Sequence, residues 1–168
     1  MAKKIKIHDE DGARAIRKHW HEAVPDDRLA HLIKDATRAS LRALQTRLSS
    51  QDVSLGHWTF LRILWEKDGV TQKELSVEAG VMEPTTVTAI RAMEALGYVV
   101  RQQKPDNKKN MYVYLTPVGR ALKDQLIPLA EEVNAIAVDG IPAAEVALVR
   151  KVLLRIIENL THDDSLDS

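Results

Sequence analysis

The sequence contains no cysteine. Disulfides, thiol nucleophiles and thiolate metal sites are therefore excluded, and the absence fits a reducing compartment. Aromatic residues make up only 4% of the chain, so a core must be built mainly of Leu, Ile, Val, Ala and Met. No apolar run reaches the about 18 residues that a membrane span needs. The basic start, Met1-Ala2-Lys3-Lys4-Ile5-Lys6-Ile7, is not followed by the apolar stretch of a signal peptide. The net charge is zero, so the bulk balance selects no polyanionic partner. There is no G-x-S-x-G, no phosphate loop and no G-x-G-x-x-G. His19-Trp20-His21 has no third ligand near it in sequence, and paired histidines of this kind are usually structural. These absences predict a cytoplasmic protein that is not an enzyme, holds no cofactor or metal, and does not enter a membrane.

What is present favours a folded chain. Hydrophobic residues are 45% and charged residues 29% of 168, which suits one domain, or one domain with a helical appendage. The charge is unevenly spread. Residues 98–128 hold six cations, Arg101, Lys104, Lys108, Lys109, Arg120 and Lys123, against Asp106 and Asp124. Residues 129–168 hold three cations against eight acids. Two readings stand for the basic stretch, a phosphate-facing surface and a solvated face.

The periodicity predicts helices and one short β segment. Leu29, Leu32, Ile33, Ala36, Ala43, Leu44 and Leu48 give a helix over 26–49, with Asp26 or Asp27 as its cap after Pro25. A second helix runs from about Ser54 to Lys67 on Leu55, Trp58, Leu61, Leu64 and Trp65, and Asp68-Gly69 stops it. Thr71-Gln72-Lys73-Glu74 is a capping box that opens a short helix ending at Gly80. Pro84 suits the first turn of the next helix, which carries Val87, Ile90, Met93 and Leu96 and stops at Gly97. Tyr98–Arg101 and Met111–Leu115 read as two strands joined by a polar stretch with a turn at 104–107. Thr116 caps a long helix that Pro128 should kink, and Asp139-Gly140 breaks it. Pro142 starts a last helix on Val146, Val149, Leu153, Ile156, Ile157 and Leu160, and residues 162–168 read as a tail.

Helix, short helix, turn, helix and hairpin over residues 51–116 make a winged helix-turn-helix. A helix fits the major groove of B-DNA, and a basic hairpin beside it reaches phosphates or the minor groove. The recognition helix of about Glu83–Leu96 offers Thr85, Thr86, Thr88 and Arg91. Threonine bonds bases or phosphates and touches thymine methyls. Three threonines also serve plain helix stability poorly, which argues against a merely solvent-facing helix. Glu83 complements the helix dipole, and it can also accept from a cytosine amino group. At the wing, Lys104, Asn107, Lys108, Lys109 and Asn110 supply donors for phosphate oxygens, or simply a solvated turn. Lys73, near the start of the short helix, joins these as a candidate DNA contact.

Four stretches give the pattern a family likeness. They are Gly69-Val70-Thr71-Gln72-Lys73-Glu74-Leu75, Pro84-Thr85-Thr86-Val87-Thr88, Met93-Glu94-Ala95-Leu96-Gly97-Tyr98-Val99 and Val113-Tyr114-Leu115-Thr116-Pro117-Val118-Gly119. Residues 53–123 thereby resemble the DNA-binding lobe of the MarR family of transcriptional regulators, and the likeness covers about residues 27–160. Two departures stand out. The family's Asp-Arg-Leu-Glu is Arg91-Ala92-Met93-Glu94 here, and its wing D-x-R corresponds to Asp106-Asn107-Lys108-Lys109. The usual helix–wing ion pair is thereby put in question. A reversed pair, Arg91 with Asp106, competes with a direct DNA contact for Arg91.

The resemblance implies a mainly α fold with a small hairpin wing, and a helical dimerisation region from residues 26–50 and 117–161. A homodimer would set two wings on a pseudopalindromic operator of double-stranded DNA, while an intrachain bundle is the competing use of those long apolar helices. Residues 1–25 extend beyond the usual family start, with Arg14–Glu22 helical in pattern. The resemblance also implies a repressor released by a small effector, often an aromatic acid, bound between the two lobes. Candidates for that pocket are Arg42, His57, Trp58, Phe60, Leu61 and Arg62, where Arg can pair a carboxylate and Trp can stack a ring. Trp58 and Leu61 fit a core stripe equally well. The competing function is a winged-helix module that docks another protein without sequence-specific DNA binding.

Overall fold

The computed structural model describes residues 29–162. The predicted cap at Asp26 or Asp27, the extension over 1–25 with its histidine pair, and the tail beyond His162 lie outside those residues. The described chain forms helix α1 at Leu29–Ser49, α2 at Leu55–Glu66, strand β1 at Val70–Thr71, α3 at Gln72–Ala79 and α4 at Glu83–Ala95. Strands β2 at Val99–Lys104 and β3 at Asn107–Leu115 follow, then α5 at Pro117–Ala137 and α6 at Ala143–Thr161.

The starts of α2, α3 and α5 have a local cause. The Ser54 hydroxyl accepts from the His57 N–H at 3.1 Å, and the Thr116 hydroxyl accepts from the Gly119 N–H at 3.1 Å. Thr71 and Glu74 close the capping box in both directions, at 3.1 Å to the Glu74 N–H and 2.7 Å from the Thr71 N–H. The two bonds from Thr71 hold the Glu74 carboxyl below its ordinary pKa. Gly80 ends α3 in the left-handed region at φ 64°, a conformation that costs glycine nothing. Gly119 answers a different need. A Cβ there would run into the carbonyl oxygen of Tyr98, so only glycine lets α5 pack against the turn before β2.

The core gathers the inner faces of α2, α3, α4 and the hairpin base. Leu61, Leu64, Leu75, Ile90, Met93, Val99 and Val113 are sealed from solvent, and Leu48, Leu126 and Val133 join them from α1 and α5. The Trp65 indole N–H donates to the Gly119 carbonyl at 2.9 Å, and Arg47 of α1 reaches Glu132 of α5 at 2.9 Å.

Three expectations change. The sheet has three strands in the order β1-β3-β2, because Val70 pairs with Val113 and Thr71 with Tyr112. Two residues are too few to show alternation, and Thr71 also caps α3. The hairpin is longer than 98–101 and 111–115, with only Pro105 and Asp106 between its strands. It projects beyond the core, so its outer part carries no apolar alternation to betray it. The buried stripe of α4 runs Thr86, Ile90 and Met93, one residue off the expected Val87 start. Elsewhere α5 runs unbroken through Pro128, and Gly140 ends the link to α6 at φ 73°. Helix α1 leaves Leu29, Leu32 and Leu41 exposed, and α6 has no fully buried residue among the described residues.

Candidate nucleic-acid interface

Helices α3 and α4 and the β2–β3 hairpin form a helix-turn-helix with a wing. Glu83, Thr85, Thr88 and Arg91 all lie exposed on α4. The Thr88 hydroxyl donates to the Pro84 carbonyl at 3.0 Å, which leaves its oxygen free to accept from a partner. Thr86 differs and is corrected from a DNA contact to a core residue. It is 0% exposed, and its oxygen accepts from the Ser76 hydroxyl at 2.8 Å. That buried bond joins the two helices of the motif, so the hydroxyl that suggested a groove contact instead satisfies a neighbour.

The helix–wing ion pair is Glu94 with Arg101, not Arg91 with Asp106. Arg101 donates through Nε at 2.9 Å and a terminal nitrogen at 2.8 Å to one Glu94 oxygen. Its backbone N–H donates to the other oxygen at 3.2 Å. The Arg101 side-chain bond, ahead of its backbone bond and charge, holds the Glu94 carboxyl below its ordinary pKa. Among the described residues no ion pair joins Arg91 to Asp106. The seven-residue spacing of Glu94 and Arg101 across the Leu96-Gly97-Tyr98 turn was the available sequence signal.

The wing sorts its polar residues into two groups. The Lys104 ammonium sits 4.0 Å over the Tyr112 ring, and the Asn107 side-chain N–H donates to the Tyr112 hydroxyl at 3.3 Å. Gln103 ties the strands by donating to the Lys108 carbonyl at 2.8 Å. Lys108, Lys109 and Asn110 are exposed. Lys73 is also exposed and lines one cleft of about 510 Å³ with Asn110, Lys67 and Glu74. The structure thus brings Lys73 beside the wing.

The effector candidates do not form one site in the single chain. Trp58, Phe60 and Leu61 belong to the core, and the Trp58 ring meets Trp65 edge-on at 5.8 Å. Their apolar character signals packing rather than an open pocket. His57 is half-buried, edge-on to Tyr98 at 6.5 Å, and its Nδ1 is sealed from water with no hydrogen-bond partner among the described residues. Burial pushes its pKa below the ordinary value. Arg62 is exposed, and Arg42 lines a shallow cleft of about 490 Å³ with Lys34, Arg38 and Leu55 but none of the other five.

Sequence reasoning missed Asp68, beyond its role as a stop signal. One of its oxygens accepts from the Leu115 N–H at 2.8 Å and the Gly69 N–H at 3.0 Å. The other pairs with Arg120 of α5 at 2.7 Å. Its carboxylate therefore joins the end of α2, the base of the wing and the start of α5.

Comparison with known proteins agrees with this architecture. The MarR family model matches residues 53–111. The transcriptional regulator TtmR of Methylorubrum extorquens is 26% identical over 60% of this chain, and the match spans about half, 52%, of that regulator's length. The homoprotocatechuate degradative operon repressor of Escherichia coli is 24% identical over 63% of this chain and 72% of its own. Among solved structures, the transcriptional regulator PA3341 is 31% identical, with a TM-score of 0.70 over 79% of this chain and 97% of that one. A MarR-family regulator of Listeria monocytogenes, solved in complex with a 26mer DNA, is 25% identical, with a TM-score of 0.73 over 82% and 91%.

Proposed function

The chain belongs to the MarR family of transcriptional regulators, and from that premise we propose that it binds a pseudopalindromic DNA operator as a homodimer and represses transcription until a small effector of the aromatic-acid type releases it. The observation that carries the reading is the pairing of a complete winged helix-turn-helix with a helix, α6, that has an apolar stripe and no fully buried residue among the described residues. A helix with Leu153, Ile157 and Leu160 in water is not stable as an isolated arm, so a second copy is its natural cover. Helices α1, α5 and α6 then make the dimerisation region, and residues 51–116 the DNA-binding region. Two such motifs about 34 Å apart match successive major grooves on one face of the duplex.

Lys73, Arg91, Lys108 and Lys109 supply the phosphate contacts in this reading, while Thr85 and Thr88 face the bases. Eight such cations in a dimer predict an affinity loss of about 10⁴ between 50 and 200 mM salt. Repression is supported by the name of the Escherichia coli relative. The test is selection of bound duplexes from random DNA at two salt concentrations, with the mass of the complex measured by light scattering. Enrichment of a pseudopalindrome, bound by two chains and weakened by salt, is the expected result. An absence of enrichment, or binding indifferent to salt, would replace this reading with a protein-docking module. Titration of aromatic acids into the complex then checks release.

A further inference from the structure

The entrance to α4 carries an apolar knuckle that core packing does not explain. Met82 occupies the cap position of α4, makes no side-chain cap bond, and is 74% exposed. Val81 beside it is also exposed, and Val77 on the last turn of α3 is 75% exposed. A Ser, Thr, Asp or Asn at this position would satisfy an orphan N–H of the first turn. Ser54 and Thr71 do so for the two preceding helices. An exposed methionine there opposes both local stability and solubility, and such conflicts between local rules and the observed residue concentrate at functional positions.

The knuckle is continuous with the exposed residues of the recognition helix, since Glu83, Pro84 and Thr85 follow it directly and lie exposed. In the major groove the thymine C5-methyl is the apolar group that a base edge presents. Methionine is unbranched and polarizable, so it adapts its shape to such a target. We propose that Met82, backed by Val81, is a specificity residue that reads a thymine methyl in each half-site. This rests on the DNA-binding reading above.

The experiment uses the full chain and a duplex selected from random DNA, with each thymine replaced in turn by deoxyuridine, which lacks only the methyl. One position per half-site should weaken binding about fourfold when replaced, the effect of losing the burial of one methyl group, and about fifteenfold when both half-sites are replaced. In M82S that sensitivity should vanish while the melting temperature rises, because serine supplies the missing cap. M82L should keep the sensitivity, because it keeps an apolar side chain. A merely structural methionine would move stability and leave the deoxyuridine pattern unchanged. Tight, salt-dependent binding with no methyl-sensitive position overturns this inference alone, as does an M82S variant that retains the wild-type pattern. Failure of the wild-type chain to bind any duplex overturns it together with the DNA-binding reading.

Discussion

Replacing Ile157 by glutamate probes the assembly where the structure gives the clearest magnitude. Ile157 lies on α6 and is 58% exposed in the single chain. Full burial of such a side chain stabilises by about 1.5–3 kcal/mol, so covering the exposed part contributes about 1 kcal/mol per copy. A twofold interface counts each residue twice, which makes about 2 kcal/mol. The variant also carries two carboxylates into an apolar seam, each left short of partners at about 1–3 kcal/mol. The dimer should weaken by at least about 4 kcal/mol, roughly 10³ in dissociation constant. Sedimentation equilibrium over a range of concentrations reads this directly. Asn159→Glu, nearly opposite on the same helix, should leave the dimer as it was. An Ile157→Glu chain that dimerises within tenfold of the wild type would refute the assignment of α6 to the interface.

Arg101→Leu removes the clasp between α4 and the wing, so DNA affinity should fall about tenfold. A partly exposed pair of this kind contributes only about 0.5–1 kcal/mol, so the melting temperature should drop by just a few degrees. Because Arg101 holds the Glu94 carboxyl below its ordinary pKa, that stability is present above the usual carboxylate range and lost as pH falls through the folded-state value. Urea titrations of the two chains should therefore differ at pH 7 and converge as the pH falls below the folded-state value. Thr86→Val should leave DNA affinity unchanged and stability within about 1 kcal/mol, since the Ser76 hydroxyl also lies 2.9 Å from the Gln72 carbonyl. Thr85→Ala should instead weaken operator binding by about 1 kcal/mol in an anisotropy titration, and equal effects at both positions would count against the assignment. The lowered pKa of His57 means that the unfolded chain takes up the proton more readily. Stability should decline as pH drops below about 6.5 and level off below the folded-state value, and His57→Phe should flatten that decline in thermal melts across pH 7 to 5.

Where a physical signal is local, the fold could be read from the residues in order. Thr71 and Glu74 announce a capping box by spacing alone, Thr116-Pro117 announces a helix start, and Gly80 and Gly140 announce ends. The misplacements share another origin. β1 is invisible because two residues acquire strand character only from their partners, Val113 and Tyr112. The outer half of the wing is held by Lys104 on Tyr112 and by Gln103 on Lys108, contacts between residues that look like a loop when taken singly. Thr86 was misread because a hydroxyl scores as polar until its buried acceptor or donor is known, and here that partner, Ser76, comes from another helix.

The candidate interface shows the same division. Thr85, Thr88, Arg91, Lys108 and Lys109 are exposed as their positions on helix and hairpin require, but what orients them is tertiary. Glu94 and Arg101 fix the wing to the recognition helix, and Asp68 fixes the wing base to α5 through Leu115 and Arg120. No spacing rule links residue 68 to residue 120, so this junction emerges only in three dimensions. It also has a mechanical consequence. The start of α5 cannot shift relative to the lobe without stretching the Asp68–Arg120 bond or moving the wing base with it. A displacement of the start of α5 would therefore pull through Asp68 on the wing base, which Glu94 and Arg101 tie to α4.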